Sequence, residues 1–191
     1  LIGSGLEQLG QIEEAVISYQ KAIEINPELP ALHNNLGNAY KKLGQLNNAL
    51  NSYSTGLRLN ADYIDLLNNL GVVLNDLDQL DDAVKSYKRA IDIKPDYAEA
   101  HNNLGVTYNK LGQLEKAVQS FEKALSIESD YADAFNNLGV ALKKLGQLDE
   151  AIESYNNALA INPNDADTHN NLGIVFYEQE RIDEAIYSYK K

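Results

Sequence analysis

The chain has 191 residues, of which 44% are hydrophobic, with no cysteine, a formal net charge of −12 and an isoelectric point near 4.6. This acidic balance argues against nucleic acid or an anionic membrane as the main partner, because both require a basic face. Without cysteine, disulfides, thiolate zinc sites and catalytic thiols are excluded, and the composition fits the reducing cytoplasm without establishing it. No segment approaches the roughly 20 apolar residues of a membrane span, and no signal-peptide pattern occurs.

The sequence repeats itself every 34 residues, so that His101 aligns with Leu67 and Phe135. Self-similarity at such a period indicates an array of small structural units. We divide the chain into an incomplete unit at 1–29, whole units at 30–63, 64–97, 98–131 and 132–165, and an incomplete unit at 166–191. Because both ends fall within a unit, we expect a single array that is a fragment of a longer protein.

Within each unit the apolar residues follow helical spacing. Leu104, Tyr108 and Leu111 fall at i, i+4 and i+7, which places them on one side of a helix. Gly112 suits the left-handed residue that ends such a helix, and a second apolar stripe begins at Leu114. Each unit is therefore predicted to form two antiparallel helices, and the whole chain to be all-α.

Small residues and aromatic residues recur at fixed places in the units. One glycine recurs in each predicted first helix, and one alanine, followed four residues later by an aromatic residue, recurs in each second helix. Gly105, Ala117 and Phe121 are one such set, and we interpret these positions as packing contacts between the helices.

The pattern His33-x2-Leu36-Gly37-x2-Tyr40, followed by Ala49-x3-Tyr53, resembles the tetratricopeptide repeat (TPR). This resemblance covers the whole chain and implies a right-handed α-solenoid with a concave groove. The chain departs from the TPR pattern at local turns and at two packing positions. Asp78, Glu180, Ala61 and Ser129 replace the usual turn glycine or proline, Gly56 replaces a small alanine, and the usual tryptophan is replaced by His33, Leu67, His101, Phe135 and His169.

Two groups of residues invite a metal or catalytic interpretation, and neither supports one. His33, His101 and His169 occupy a repeat position that elsewhere holds leucine or phenylalanine, so we interpret it as a packing position. The acidic cluster at 76–82 lacks the glycine and the terminal glutamate of a calcium loop. We therefore predict no catalytic residue, no metal site and no cofactor, and hence no enzyme in this segment.

An asparagine doublet in every predicted first helix is the strongest candidate for a binding site. A side-chain amide donates and accepts hydrogen bonds at once, as a peptide backbone does. By resemblance, the second asparagine of each doublet matches the asparagine ladder of the O-GlcNAc transferase superhelix, which implies that it holds an extended peptide. The alternative is that these amides bond to neighbouring helices or to water. The predicted peptide-binding residues are Asn34, Asn35, Asn68, Asn69, Asn102, Asn103, Asn136, Asn137, Asn170, Asn171, Val72, Val106, Val140, Lys110 and Lys144.

Three functions remain open at this stage. The chain can be an interaction module that binds an extended segment of a partner protein, a substrate-recruiting arm of a larger enzyme such as a glycosyltransferase, or a structural module that associates end to end. Chaperone-binding TPR domains carry lysine or arginine where this chain has the first asparagine of each doublet. The resemblance therefore argues against a chaperone C-terminal tail as the partner.

Overall fold

The computed structural model describes residues 2–191 and contains twelve helices. In chain order they are α1 Ile2–Gln8, α2 Ile12–Ile25, α3 Pro30–Lys42, α4 Leu46–Leu59, α5 Ile64–Asp76, α6 Leu80–Ile93, α7 Ala98–Lys110, α8 Leu114–Ile127, α9 Ala132–Lys144, α10 Leu148–Ile161, α11 Ala166–Glu178 and α12 Ile182–Tyr189. No strand occurs among residues 2–191, so the predicted all-α class is confirmed.

The helices form hairpins that belong to two compact units. Unit 1 extends to Pro95 and contains α1 to α6, and unit 2 runs from Asp96 to Lys191 and contains α7 to α12. Within a unit, each helix packs against the next one along the chain. The first helices of neighbouring hairpins also touch: α3 contacts α5 in unit 1, and α9 contacts both α7 and α11 in unit 2.

A left-handed residue ends the first helix of the hairpins. After α3, Gly44 has a φ of 71°, its N–H donates to the carbonyl of Lys41, and the N–H of Gln45 donates to the carbonyl of Tyr40, both at 2.9 Å. This pair of bonds satisfies carbonyls that the helix end leaves open. Asp78 and Glu180 replace glycine at this position and still adopt φ values of 59° and 60°. The turn is therefore kept where the sequence departs from the TPR pattern.

The two helices of a hairpin meet where a glycine faces an aromatic ring. A Cβ atom built on Gly105 would lie 2.6 Å from Cε1 of Phe121, whose side chain is fully buried. The same pairing joins Gly3 to Tyr19, Gly37 to Tyr53, Gly71 to Tyr87, Gly139 to Tyr155 and Gly173 to Tyr189. The predicted packing role of the recurring glycine and aromatic positions follows from this contact, because no other residue leaves room for the ring.

Gly56 fits a bulky neighbour in the following hairpin. A Cβ on Gly56 would lie 2.7 Å from Cδ1 of Leu66, a residue with no exposed surface. In unit 2 the equivalent positions hold Ala124 and Ala134. In unit 1 the equivalent pair is Ala22 and Leu32, so leucine at the second position occurs with alanine as well as with glycine at the first, and the close approach described here is that of Gly56 and Leu66.

Candidate peptide-binding surface

A partly exposed stripe runs along each first helix, away from the glycine that faces the ring. In α7 it consists of Glu99, Asn103, Val106 and Lys110, at i, i+4, i+7 and i+11. This spacing keeps the side chains on one side of a helix. We call these residues and their equivalents the exposed stripe. In the other helices it comprises Ala31, Asn35, Asn38 and Lys42 in α3, Asp65, Asn69, Val72 and Asp76 in α5, Asp133, Asn137, Val140 and Lys144 in α9, and Asp167, Asn171, Ile174 and Glu178 in α11.

Side-chain hydrogen bonds hold α7 and α9 parallel and in register. Asn137 Nδ2 donates to Asn102 Oδ1 at 3.1 Å, and Lys144 Nζ donates to Asn109 Oδ1 at 2.8 Å. Both bonds join residues 35 positions apart, and they lie seven residues apart along each helix. Only parallel helices can make both bonds, so equivalent stripe residues form rows that cross the two helices.

The two members of the asparagine doublet have different surroundings. The first asparagine is buried in three of the doublets, with 8% exposure at Asn34, 1% at Asn68 and 6% at Asn102. Its Oδ1 accepts the inter-helix bond, which Asn69 makes to Asn34 at 3.0 Å and Asn171 makes to Asn136 at 3.0 Å. These first asparagines therefore join neighbouring hairpins, and the buried ones have little surface to offer a ligand. Asn136 is half-buried and Asn170 is exposed.

The second asparagine of each doublet is partly exposed, and in Asn137 and Asn171 part of the side-chain amide is not used in hydrogen bonds. Asn35, Asn69, Asn103, Asn137 and Asn171 are all partly exposed. Asn137 and Asn171 each donate one amide N–H to the first helix of the preceding hairpin, and neither makes another hydrogen bond within the described residues. One N–H and the carboxamide oxygen remain in each case. A peptide backbone presents the matching acceptor and donor.

The half-buried Val72, Val106 and Val140 lie one turn beyond these amides, and the exposed lysines Lys110 and Lys144 lie one turn further. Four of the five stripes therefore carry an amide and then an apolar side chain, α3 has Asn38 in place of the apolar residue, and the stripes of α3, α7 and α9 end in a lysine. The three valines and the two lysines were among the residues predicted from the sequence to bind a peptide.

Tyrosine hydroxyls of the second helices reach the base of the stripe. Tyr53 Oη donates to Asn38 Oδ1 at 2.6 Å, whereas the buried Tyr155 Oη has no hydrogen-bond partner among the described residues. Burial raises the pKa of both phenols, and Glu178 raises that of Tyr155 further. Both hydroxyls are therefore neutral at physiological pH.

A polar hollow of about 310 Å³ adjoins Asn35 in unit 1. Glu7 lines the hollow, and its carboxylate accepts hydrogen bonds from Tyr19 Oη at 2.7 Å and from Lys42 Nζ at 2.6 Å. Asn38 also lines this hollow. Sequence reasoning missed Glu7 and Asn38. Ser4 of α1 and Asn38 of α3, which both line this hollow, occupy the repeat position that holds valine in α5, α7 and α9. That break in the valine column was the available signal.

His33 and His169 each contact the turn that precedes their own helix. His33 is buried, and its Nε2 lies 2.9 Å from the carbonyl oxygen of Pro27, an acceptor that requires the ring nitrogen to carry the proton. His169 makes the same contact with Pro163. Each imidazole thereby ties the start of a first helix to the turn before it. In the described part of the chain, no group of three or more histidine, aspartate or glutamate side chains could hold a metal ion.

Among residues 2–191, no helix has both the length and the apolar character needed to cross a membrane. 

Helical hairpins repeated every 34 residues, with a ring-facing glycine and parallel first helices, define a helical-repeat protein of the solenoid class. The family model described as TPR repeat matches residues 6–44, 37–78, 73–112, 107–146 and 141–180. The chain therefore belongs to the TPR repeat family, and the recognition of this repeat from the sequence is confirmed.

Several solved structures resemble this chain over most of its length. MamA is 27% identical with a TM-score of 0.77, over 87% of this chain and 97% of MamA. PilF of Pseudomonas aeruginosa is 21% identical with a TM-score of 0.86, over 98% of this chain and 85% of that chain. YrrB, a TPR protein with an unusual peptide-binding site, is 24% identical with a TM-score of 0.70, over 89% and 88%. The search of curated proteins gave no match.

Proposed function

We propose that this chain is a non-catalytic interaction module that holds an extended peptide segment of a partner protein along the exposed stripe. The proposal rests on the partly exposed side-chain amides of Asn137 and Asn171. Each amide has one N–H and its oxygen free to bind a ligand. The described residues bind these amides from one side only, so they are held in place before a ligand arrives. Such preorganisation reduces the entropy lost on binding.

The family and its fold are consistent with this proposal. TPR proteins are interaction scaffolds, and YrrB shares the fold and has a peptide-binding site of its own. A role as the recruiting arm of a larger enzyme uses the same surface, so it predicts the same behaviour of this segment. The two differ only in what else the complete polypeptide contains.

The test compares two alanine substitutions that break the same hydrogen bond. Asn171→Ala and Asn136→Ala both remove the bond between Asn171 and Asn136, but only the first removes the spare amide. Each should lower the free energy of unfolding by about 0.5–1.5 kcal/mol. With a library of extended peptides, Asn171→Ala should weaken binding roughly fivefold, and Asn136→Ala, which only releases the amide of Asn171, should weaken it clearly less.

Adding Asn137→Ala to Asn171→Ala should weaken peptide binding by roughly a further fivefold. Equal binding by the parent and by this double variant would show that the amides are not the ligand contacts. The absence of binding by any peptide in the library would refute the proposed function itself.

Self-association is a second candidate, and the surface of α12 favours it. Ile182, Ile186, Tyr187 and Tyr189 are between 46% and 64% exposed. Tyr187 also lines a hollow of about 540 Å³ between α10, α11 and α12. Exposed apolar side chains grouped in this way are typical of interaction sites. Sedimentation over a hundredfold range of concentration, with Ile186→Glu as the comparison, would reveal an oligomer formed through this surface, whereas a monomer at all concentrations excludes it.

A further inference from the structure

Helix α12 exposes a face on which an acidic and a basic residue stand on either side of two apolar side chains. Asp183, Ile186, Tyr187 and Lys190 lie at i, i+3, i+4 and i+7, which is one side of a helix, and Lys190 extends the last turn with a φ of −91° and a ψ of −4°. Ile186 is 46% exposed, Tyr187 is 64% exposed, and both charged residues are exposed as well. We call these four residues the α12 face.

The two charges of the α12 face are available to a partner. The neighbouring acid, Glu184, is already bound, because Arg181 donates to its carboxylate through Nε and Nη2. Arg181 also lies 4.4 Å from the ring centre of Phe176, which fixes this ion pair on the surface of its own unit. Neither Asp183 nor Lys190 makes an ion pair with another of residues 2–191.

The equivalent faces of the other second helices do not combine these features. At the position of the tyrosine, α4, α6, α8 and α10 carry exposed polar residues: Asn51, Lys85, Gln119 and Glu153. In α2 this position holds Ile17, but Gln20 stands where α12 has its lysine. In α6 the ends are Asp81 and Lys88, but a charged lysine occupies the centre. An apolar centre between opposite charges therefore belongs to α12.

A face of this kind is complementary to a second copy of itself. In a two-fold symmetric pair the same surface is used by both copies, so two α12 helices that face each other run antiparallel. Asp183 of each copy then lies opposite Lys190 of the other, and the two ion pairs are equivalent. Ile186 and Tyr187 lie midway between these charges, so each meets its own equivalent near the axis. Aromatic side chains are typical of the centre of such interfaces.

An apolar hollow adjoins the α12 face. It has a volume of about 540 Å³ and lies between α10, α11 and α12, where Ile152, Leu172, Phe176 and Tyr187 contribute to its lining. Since Tyr187 lies near the axis of the two-fold pair, the Tyr187 ring of a second copy comes next to this hollow. Burial of the ring there adds apolar contact area to the two ion pairs.

We infer that two copies of this chain form a two-fold dimer through the α12 face. The inference rests on the second candidate function, self-association, and names its partner and its arrangement. End-to-end association joins two different surfaces and can continue, whereas this pairing uses one surface of both copies and stops at two. A contact of one eight-residue helix is smaller than the standard interface of about 1,600 Å², so we expect the dimer to form at about 10 µM to 1 mM.

Exchange of the two charges tests the antiparallel register. Sedimentation velocity of the whole chain at about 50 mM salt, where surface charges are weakly screened, measures the dimer. Asp183→Lys and Lys190→Asp each place like charges opposite each other twice, and each should weaken dimerisation roughly tenfold. An equimolar mixture of the two variants should restore it, because acid faces base at both ends of the mixed dimer. The equivalent changes in α6, Asp81→Lys and Lys88→Asp, should leave dimerisation unchanged.

Single cysteines locate the axis, because the chain has no cysteine of its own. Ile186→Cys should give a disulfide-linked dimer under mild oxidation, since this residue lies near the axis. Ile182→Cys is the matched control, because Ile182 is 47% exposed on the same helix. Its two copies would be separated by about 13 Å along the helices, which is beyond the roughly 7 Å between Cα atoms that a disulfide spans.

The outcomes separate this inference from the proposed functions. A chain that stays monomeric at about 1 mM would overturn both the dimer and self-association, and would leave peptide binding standing. An oligomer that the variant mixture does not restore would overturn the two-fold pairing and leave self-association through another surface. So would cross-linking of Ile182→Cys as readily as of Ile186→Cys, or of neither. Circular dichroism checks that each variant folds, and if Ile186→Cys does not, the charge exchange alone decides.

Discussion

Replacing Gly56 by alanine tests the contact between consecutive hairpins in unit 1. The added Cβ would lie 2.7 Å from Cδ1 of Leu66, 3.3 Å from its Cδ2 and 3.2 Å from Cβ of His33. Carbon atoms in good contact lie about 3.5–4.0 Å apart, so the overlap with Leu66 is roughly 1 Å. Leu66 is fully buried and His33 is nearly so, which leaves neither side chain free space to move into.

The magnitude follows from two opposing terms. Overpacking of this kind costs about 1–3 kcal/mol, whereas replacing glycine by alanine within a helix contributes about 1 kcal/mol in favour of folding. Gly56→Ala should therefore lower the free energy of unfolding by about 0–2 kcal/mol. Leu66→Ala alone should lower it by about 2–5 kcal/mol, because it leaves a cavity.

The double variant separates this mechanism from a general loss of packing. With alanine at both positions the overlap disappears, and the pair matches Ala124 and Ala134 of unit 2. The double variant should be more stable than the sum of the single effects predicts, by about 1–3 kcal/mol. Urea unfolding followed by circular dichroism measures this, analysed with nearest-neighbour coupling between repeats. Additivity within about 0.5 kcal/mol would refute the steric explanation.

Two further predictions concern a buried hydroxyl and a left-handed residue. Tyr53→Phe removes the hydrogen bond to Asn38 and should lower the free energy of unfolding by about 0.5–1.5 kcal/mol. Tyr155→Phe removes a buried hydroxyl that has no hydrogen-bond partner among the described residues, so it should be neutral or slightly stabilising. Equal losses of stability in urea unfolding would contradict this reasoning. Asp78→Gly should raise the free energy of unfolding by about 1 kcal/mol, because glycine adopts the observed φ of 59° without steric strain, and an unchanged urea midpoint would contradict it.

Much of the architecture could be predicted from the sequence, because the helices and turns depend on the spacing of residues within one unit. The left-handed turn was predicted from Gly112, and the structure gives this residue a φ of 72°. Gly105 and Phe121 were assigned to packing from their recurrence, and the structure brings them together. Such features repeat in every unit, so the period itself identifies them.

The asparagine doublet shows where local reasoning ends. The sequence placed both residues on the ligand surface, and an exposed asparagine would contribute little to stability. The structure instead pairs Asn137 with Asn102 of the preceding first helix. Since the two residues are 35 positions apart, their meeting depends on how hairpins stack, which helical spacing does not specify.

The sequence by itself determined the period, the helices, the turns and the row of amides, because each follows from the spacing of residues within one unit. Only the tertiary structure decided which amide of a doublet is buried, which tyrosine hydroxyl finds an acceptor, and how closely Gly56 approaches Leu66. These outcomes arise from side chains of different units meeting at atomic distance, where one methyl group or one hydrogen bond changes the result.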